Sequence, residues 1–222
     1  MKKITIITPT FNRAKTLPKV FESLLNQSFK GFLWIILDDG STDNTSTVVE
    51  NFQLFNPFFE IIYKKNKNRH KFLTVLEGVK MVKTPYFMVV DSDDIYPEDA
   101  LETLISEVEK IENQDNYVAV MGLSADENGK IVGNQYPNNG FDGSIFEMRY
   151  KHKVRGDKFG IFITKTYQRE ISGKDFSQYE GKGYIPQSVI FNEYDARGIK
   201  TRFMNKVVRF YLKDDDDVAS VS

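Results

Sequence analysis

The sequence predicts an α/β fold: a mostly parallel, twisted sheet flanked by helices, followed by a smaller and less regular half. Two observations predict it. Short apolar runs rich in Ile, Val and Phe alternate with longer stretches whose apolar residues recur at helical spacing. Each run in residues 1–115 also stops at a cluster of polar, turn-forming residues, as strands buried on both faces do.

The elements follow in order. Residues 4–8 read as a short β-branched strand ended by Pro9, and Leu17, Val20, Phe21, Leu24 and Leu25 mark an amphipathic helix. The unbroken apolar run 32–37 is a second strand, halted by Asp38-Asp39-Gly40-Ser41. Asp43, Asn44, Thr45 and Ser46 offer helix caps for a helix through about residue 55, and residues 59–64 form a third strand. A helix carries Leu73, Val75, Leu76, Val79 and Val82. Residues 86–90 then make a strand that delivers Asp91-Ser92-Asp93-Asp94, and a helix spans 97–111.

From Tyr117 the pattern changes. Residues 117–123 are strand-like, the Gly- and Asn-rich stretch 126–143 reads as a hairpin and loop, and 160–164 is a strand. A helix over 186–197 and a strand over 207–212 complete the reading, with the acidic run 214–217 as a solvated tail. The chain thus divides into subdomains 1–115 and 116–222 of one continuous domain.

Composition bounds the function. With 222 residues, 41% hydrophobic, the chain can bury a sizeable core. Its 30 Lys+Arg balance 31 Asp+Glu, so no global field selects nucleic acid or an anionic membrane, and phosphate recognition must be local. The absence of cysteine excludes disulfides and thiolate metal ligands. The start is too short and too interrupted for a signal peptide, and no window approaches the ~20 apolar residues of a membrane span. A cytoplasmic protein is expected, with peripheral membrane association only through a partner or a lipid acceptor.

The D-x-D spacing of Asp91-Ser92-Asp93 after an apolar strand suits a hard divalent cation. Mg²⁺ and Mn²⁺ take carboxylate and phosphate oxygens, and alternate residues of an extended segment share a side. Alone, the three-residue pattern also describes an ordinary acidic turn.

In combination the motifs resemble a known family. Thr8-Pro9-Thr10-Phe11-Asn12-Arg13, Leu37-Asp38-Asp39-Gly40-Ser41-Thr42-Asp43 and Val90-Asp91-Ser92-Asp93-Asp94, each at a strand end, are similar in order and spacing to the signature of family 2 glycosyltransferases. The resemblance implies a Rossmann-like GT-A fold and an inverting transfer of sugar from a nucleotide-sugar, typically UDP-linked, to a saccharide or lipid-linked saccharide of the cell envelope. It implies that Pro9, Thr10 and Asn12 line the nucleotide pocket and that Asp39 bonds the base. Asp91, with Ser92 beside it, would face the ribose or sugar, and Asp93, with Asp91, would hold Mn²⁺ or Mg²⁺. Asp38 has two readings, a nucleotide ligand and a cap for the following turn. Lys71 aligns with the lysine of a Gly-Gly-Lys-His segment in part of the family, a partial match that leaves an exposed basic loop as the other reading; His70 reads as a surface residue.

The second half is similar to bacterial surface-polysaccharide enzymes through Arg155-Gly156-Asp157-Lys158 and the stretch from Glu180 to Ser188. An inverting mechanism needs a carboxylate to take the proton from the acceptor hydroxyl. The chain has Pro186-Gln187 where that subset has Pro-Glu, and glutamine is no base. Glu180 is therefore the first candidate and Asp157 the second, with a degenerate, sugar-binding protein as the alternative. A nucleotidyltransferase would want a Gly-rich basic loop after the first strand, which residues 8–13 lack. Tyr136, Phe141, Phe146, Tyr150, Tyr179 and Tyr184 have two readings, a sugar-stacking platform and a hydrophobic core.

Overall fold

The computed structural model describes residues 1–56, 58–182, 185 and 188–211. Its strands are β1 (Ile4–Thr10), β2 (Phe32–Asp38), β3 (Glu60–Lys65), β4 (Tyr86–Val89), β5 (Asp94–Ile95), β6 (Tyr117–Asp126), β7 (Phe141–Gly143), β8 (Lys158–Ile163) and β9 (Lys200–Tyr211). Its helices are α1 (Leu17–Leu25), α2 (Thr45–Phe55), α3 (Lys71–Met81), α4 (Ala100–Glu109), α5 (Thr164–Ile171) and α6 (Ser188–Ala196). The strands form one sheet in the order β3-β2-β1-β4-β8-β6-β9-β5, with β7 also on β9. β3, β2, β1 and β4 are mutually parallel; β8 runs against both β4 and β6, while β9 runs with β6.

The period of two along the strands separates two cores. Ile4, Ile6, Trp34 and Ile36 pack with Val20, Leu24, Phe52 and Leu104 on one face. Ile7, Ile35, Leu37 and Phe87 pack with Leu73, Leu76 and Val79 on the other. Trp34, fully buried, donates its indole N–H to Thr8 Oγ1 at 2.9 Å, so the largest core side chain leaves no polar atom unmet. On the second face α3 sits close because Gly78 has no Cβ; one would lie 2.7 Å from Ile7 Cγ2 and 2.9 Å from Leu37 Cδ1.

The sheet runs unbroken past residue 115, since β4 of the first half pairs with β8 of the second. Several boundaries differ from expectation. β1 continues through Pro9 to Thr10, paired with Leu37 and Asp38 on β2, because proline's missing N–H still leaves a carbonyl for the ladder at a strand end. β9 begins at Lys200 rather than 207: bulges in its pairing with β6 break the alternation that would have shown it. The stretch 126–143 holds the expected hairpin, with Asp126 N–H bonded to Lys130, but also β7. Helix α5, not expected, buries Tyr167 and Ile171, and Gln168 donates to the carbonyls of Val79 and Val82 at the end of α3. The 97–111 helix is shorter, Ala100–Glu109. Pro186, Gln187, Tyr184, Leu212 and the 214–217 run lie outside the described residues.

Candidate active site

The chain runs from β1 outward to β2 and β3 and then returns to place β4 on the other flank of β1. That reversal creates a crevice at the carboxyl ends of β1 and β4, the place where open α/β sheets bind ligands. Pro9 and Thr10 end β1 there, Asp38 and Asp39 end β2, and Asp91 to Asp94 follow β4. Thr10 is 3% exposed, and its Oγ1 has no hydrogen-bond partner among the described residues, a buried polar atom that a ligand would satisfy.

Asn12 and the β2 turn clasp one another. Asn12 adopts a left-handed conformation (φ 55°), which asparagine tolerates, and its Oδ1 accepts from Thr42 N–H at 2.8 Å while its own N–H donates to Ser41 Oγ at 2.8 Å. Arg13 and Ala14 N–H groups donate to Thr45 Oγ1 and Asp43. The β1–α1 loop is thereby fixed to the β2–α2 loop before any ligand arrives.

The two aspartates of β2 have different employment. Asp38 is fully buried; it accepts Ser41 N–H at 2.6 Å and the Tyr63 hydroxyl, whose ionisation is pushed up by burial and by this carboxylate. Its oxygens serve the turn-capping reading. Asp39 Oδ1 accepts Arg69 N–H at 2.8 Å and Thr74 Oγ1 at 2.9 Å, so it ties the basic loop after β3 to α3, and Oδ2 has no hydrogen bond within the described residues.

Asp91 and Asp93 stand at the mouth, each 31% exposed at the side chain. Lys71 Nζ lies 2.6 Å from Asp91 Oδ1, and Arg13 lies 3.6 Å from Asp93 Oδ2. Desolvation opposes the Lys71 charge, but Asp91, with Asp93 and Asp157, outweighs it and holds the ammonium above its ordinary pKa. Ser92 is buried between the two carboxylates. His70, exposed and at φ 69°, only starts α3.

Behind this turn lies a network absent from the sequence reading. Asp94, 4% exposed at its side chain, pairs with Arg209 of β9 at 3.1 Å. Burial pushes the Asp94 carboxyl up to about 7 against the pull of Arg209, with Asp91, Asp93 and Asp157 adding to the rise. Arg209 also donates to Asp157 Oδ2 at 2.9 Å and Ser124 Oγ at 3.1 Å, and stacks 4.2 Å from the Tyr211 ring. Tyr211 gives Asp157 a second short hydrogen bond. Desolvation works against ionisation of Asp157, but Arg209 and Tyr211 prevail and hold it below the usual carboxylate range. The available signal was a lone arginine inside the apolar strand 207–211; Thr74, a lone hydroxyl among the buried residues of α3, was the matching signal for Asp39.

Glu180 lies apart from this network. It is exposed and follows the single turn Ser177–Tyr179, whose Tyr179 ring packs 5.4 Å from Phe72 at the start of α3. Through that contact the Glu180 segment borders the helix that carries Lys71.

A mostly parallel sheet with carboxylates at its switch point is the arrangement expected of a GT-A glycosyltransferase fold. The chain belongs to glycosyl transferase family 2, whose model matches residues 5–175. It is 27% identical, over 95% of its length and 65% of the relative's, to the GalNAc(5)-diNAcBac-PP-undecaprenol beta-1,3-glucosyltransferase of Campylobacter jejuni. Its fold is that of Staphylococcus aureus TarS in complex with UDP-GlcNAc (TM-score 0.69, 19% identity, covering 99% of this chain and 62% of that one). It is also that of the mannosyltransferase PcManGT from Pyrobaculum calidifontis in complex with GDP-Man and Mn²⁺ (TM-score 0.65, 14% identity, 97% and 58%). The chain thus spans under two thirds of the length of these relatives.

Proposed function

We propose that this chain transfers a sugar, with inversion, from a UDP-linked donor to a saccharide or lipid-linked saccharide acceptor in cell-envelope polysaccharide synthesis, on the cytoplasmic side of the membrane. Among the described residues no helix is long and apolar enough to cross a membrane. The observation that carries the reading is the convergence of Thr10, Asp39, Asp91 and Asp93 on the carboxyl ends of three adjacent parallel strands, with cationic Lys71 and Arg13 on the acidic pair. The likeness to a fold seen with UDP-GlcNAc supports the donor class.

The donor set fits a divalent cation. Asp91 and Asp93 offer oxygen ligands only, both reach solvent, and both already attract cationic side chains. No group of three or more acidic, His or Cys residues among those described could hold an ion unaided, so donor phosphates would complete the shell, as Mg²⁺ and Mn²⁺ prefer. When bound, the ion supplies charge stabilisation to the departing diphosphate.

Asp39 has one carboxylate oxygen left to bond the base, while Lys71 and Arg13 are positioned to exchange their carboxylate partners for phosphate oxygens. The acceptor hydroxyl must give its proton to a carboxylate it can reach. Asp157 is tied down by Arg209 and Tyr211, and Asp94 is buried against Arg209, which leaves the exposed Glu180 as the carboxylate open to an acceptor. The same restraint on Asp157 favours the second reading, a sugar-binding protein without turnover, should Glu180 prove idle. Calorimetric titration with UDP, GDP, ADP and CDP, each with and without Mn²⁺, tests the donor site: metal-dependent binding of UDP is expected, and binding of none of the four would sink the reading.

A further inference from the structure

The aromatic residues of the second half sort themselves by exposure. Tyr136 is 3% exposed and packs at a tilt against Phe203, Phe141 packs on His152, and Tyr179 packs on Phe72 and Phe176. Phe146 and Tyr150 behave otherwise, at 57% and 63% exposed, with ring centroids 4.4 Å apart and planes inclined by 37°. They flank a hollow of about 440 Å³ whose other walls are Ser144, Asn192, Asp195 and Ala196.

The ledge is held rigidly. Residues Glu147–Lys151 form a π-helical turn, a wide form that recurs at functional positions, and Met148 anchors it to the core. Asp195 of α6 accepts the N–H groups of Ile145 and Phe146 at 3.2 and 2.7 Å, and the Ser144 hydroxyl accepts that of Glu147. Each Asp195 oxygen therefore spends one lone pair on the ledge and has another for a ligand. Asn192, one turn earlier on the same helix, is exposed and lines the same hollow.

We propose that this hollow is a saccharide subsite that grips the acceptor chain away from the point of transfer. Two exposed rings beside an amide and a carboxylate match a pyranose, which offers a flat C–H face and a rim of hydroxyls, whereas a lipid chain would leave the polar pair unmatched. Strand β9 sets the distance. Ser144 follows Gly143, which pairs with Thr201 at the start of β9, whereas Asp94 pairs with Tyr211 at its end, so the hollow stands roughly 30 Å from the acidic turn by strand rise, and only an extended oligosaccharide could occupy both. The inference rests on the proposed acceptor class and extends it from one sugar to an oligosaccharide.

The test is saturation-transfer NMR on the full chain with neutral β-linked pentasaccharides (cellopentaose and N-acetylchitopentaose), alongside UDP titration of the same samples. Wild type is expected to bind at least one of them. Tyr150→Ala and Phe146→Ala should each weaken that binding about tenfold, as loss of one ring contact predicts, with Tyr150→Phe close to wild type and UDP affinity unchanged in all three. Binding of neither sugar by wild type, or equal binding by both alanine variants, overturns the subsite. Sugar binding through these rings by a chain that binds no nucleotide would support the subsite while sinking the donor reading.

Discussion

Arg209 and Asp94 form an ion pair of 3.1 Å in which both side chains are all but shut off from solvent, at 3% and 4% exposure. The pair joins β9 to the turn that carries Asp91 and Asp93, and the same guanidinium continues to Asp157. Removing one partner of such a pair leaves a buried charge uncompensated, at a cost of about 3–5 kcal/mol. Arg209→Met is expected to lower thermal stability accordingly, and Asp94→Asn in that background to restore part of it. Equal melting temperatures for wild type and Arg209→Met would show that the pair contributes nothing.

Asp93→Ala should abolish the Mn²⁺-dependent part of UDP binding while leaving the fold intact, because Asp93 stands at the cleft mouth. Calorimetry with and without the metal gives the answer directly. Metal-dependent affinity equal to that of wild type would take the ion away from this residue.

Asp39→Asn should weaken UDP about tenfold even without metal, since its proposed contact is to the base and hydrogen bonds to a charged group are worth about 1.5–3 kcal/mol. The amide oxygen still accepts from Arg69 N–H and Thr74, so stability is expected to fall by less than in Asp39→Ala. UDP affinity unchanged in both variants would remove the base-binding role.

Glu180→Gln should spare UDP binding and lower transfer or donor hydrolysis by a hundredfold or more, the scale of general-base loss. Asp157→Asn should act mainly on stability, through Arg209 and Tyr211. The reverse pattern would exchange the two assignments.

Acid stability carries a signature of its own. Asp142 holds Arg202 through two 2.8 Å hydrogen bonds and accepts the Tyr117 hydroxyl at 3.0 Å; burial opposes ionisation, but these partners hold its carboxyl below the usual carboxylate range. A depressed carboxylate stabilises the fold above its unfolded pKa and loses that contribution as pH falls through the folded value. Asp142→Asn should therefore cost about 1–2 kcal/mol at neutral pH, a difference that shrinks below about pH 4 in denaturant titrations. A gap that stays constant from pH 7 to pH 3 would count against the pairing.

What could be read from the sequence follows the range of the interactions involved. Strands β2 and β4 announce themselves by apolar runs and polar stops, so the place of Asp38, Asp39 and Asp91 to Asp94 at strand ends was legible locally, whereas β1, threaded with threonine and Pro9, runs two residues further than its sequence suggests. Asp38 shows where that reading stops, since only the fold reveals that Ser41 and Tyr63 occupy its oxygens. β5 has two residues and exists only because Tyr211 and Phe210 lie opposite; β7 likewise depends on Phe203, Arg202 and Thr201. The first part of β9 hides behind Lys200, Arg202 and Asn205; Arg202 is answered by Asp142, 60 residues earlier, and the Asn205 side-chain amide by Tyr136, 69 residues earlier. Such pairings leave no local periodicity to find.

The span between Asp94 and Arg209, 115 residues along the chain, has a bearing on biosynthesis. During translation the helices and parallel strands of the first half leave the ribosome well before β9, so the acidic turn is made early and waits, with Asp94 unanswered, for its guanidinium. Contacts that close so large a loop form slowly. A nascent chain interrupted before residue 209 would carry Asp91 and Asp93 but not the guanidinium that ties down the turn on which they stand.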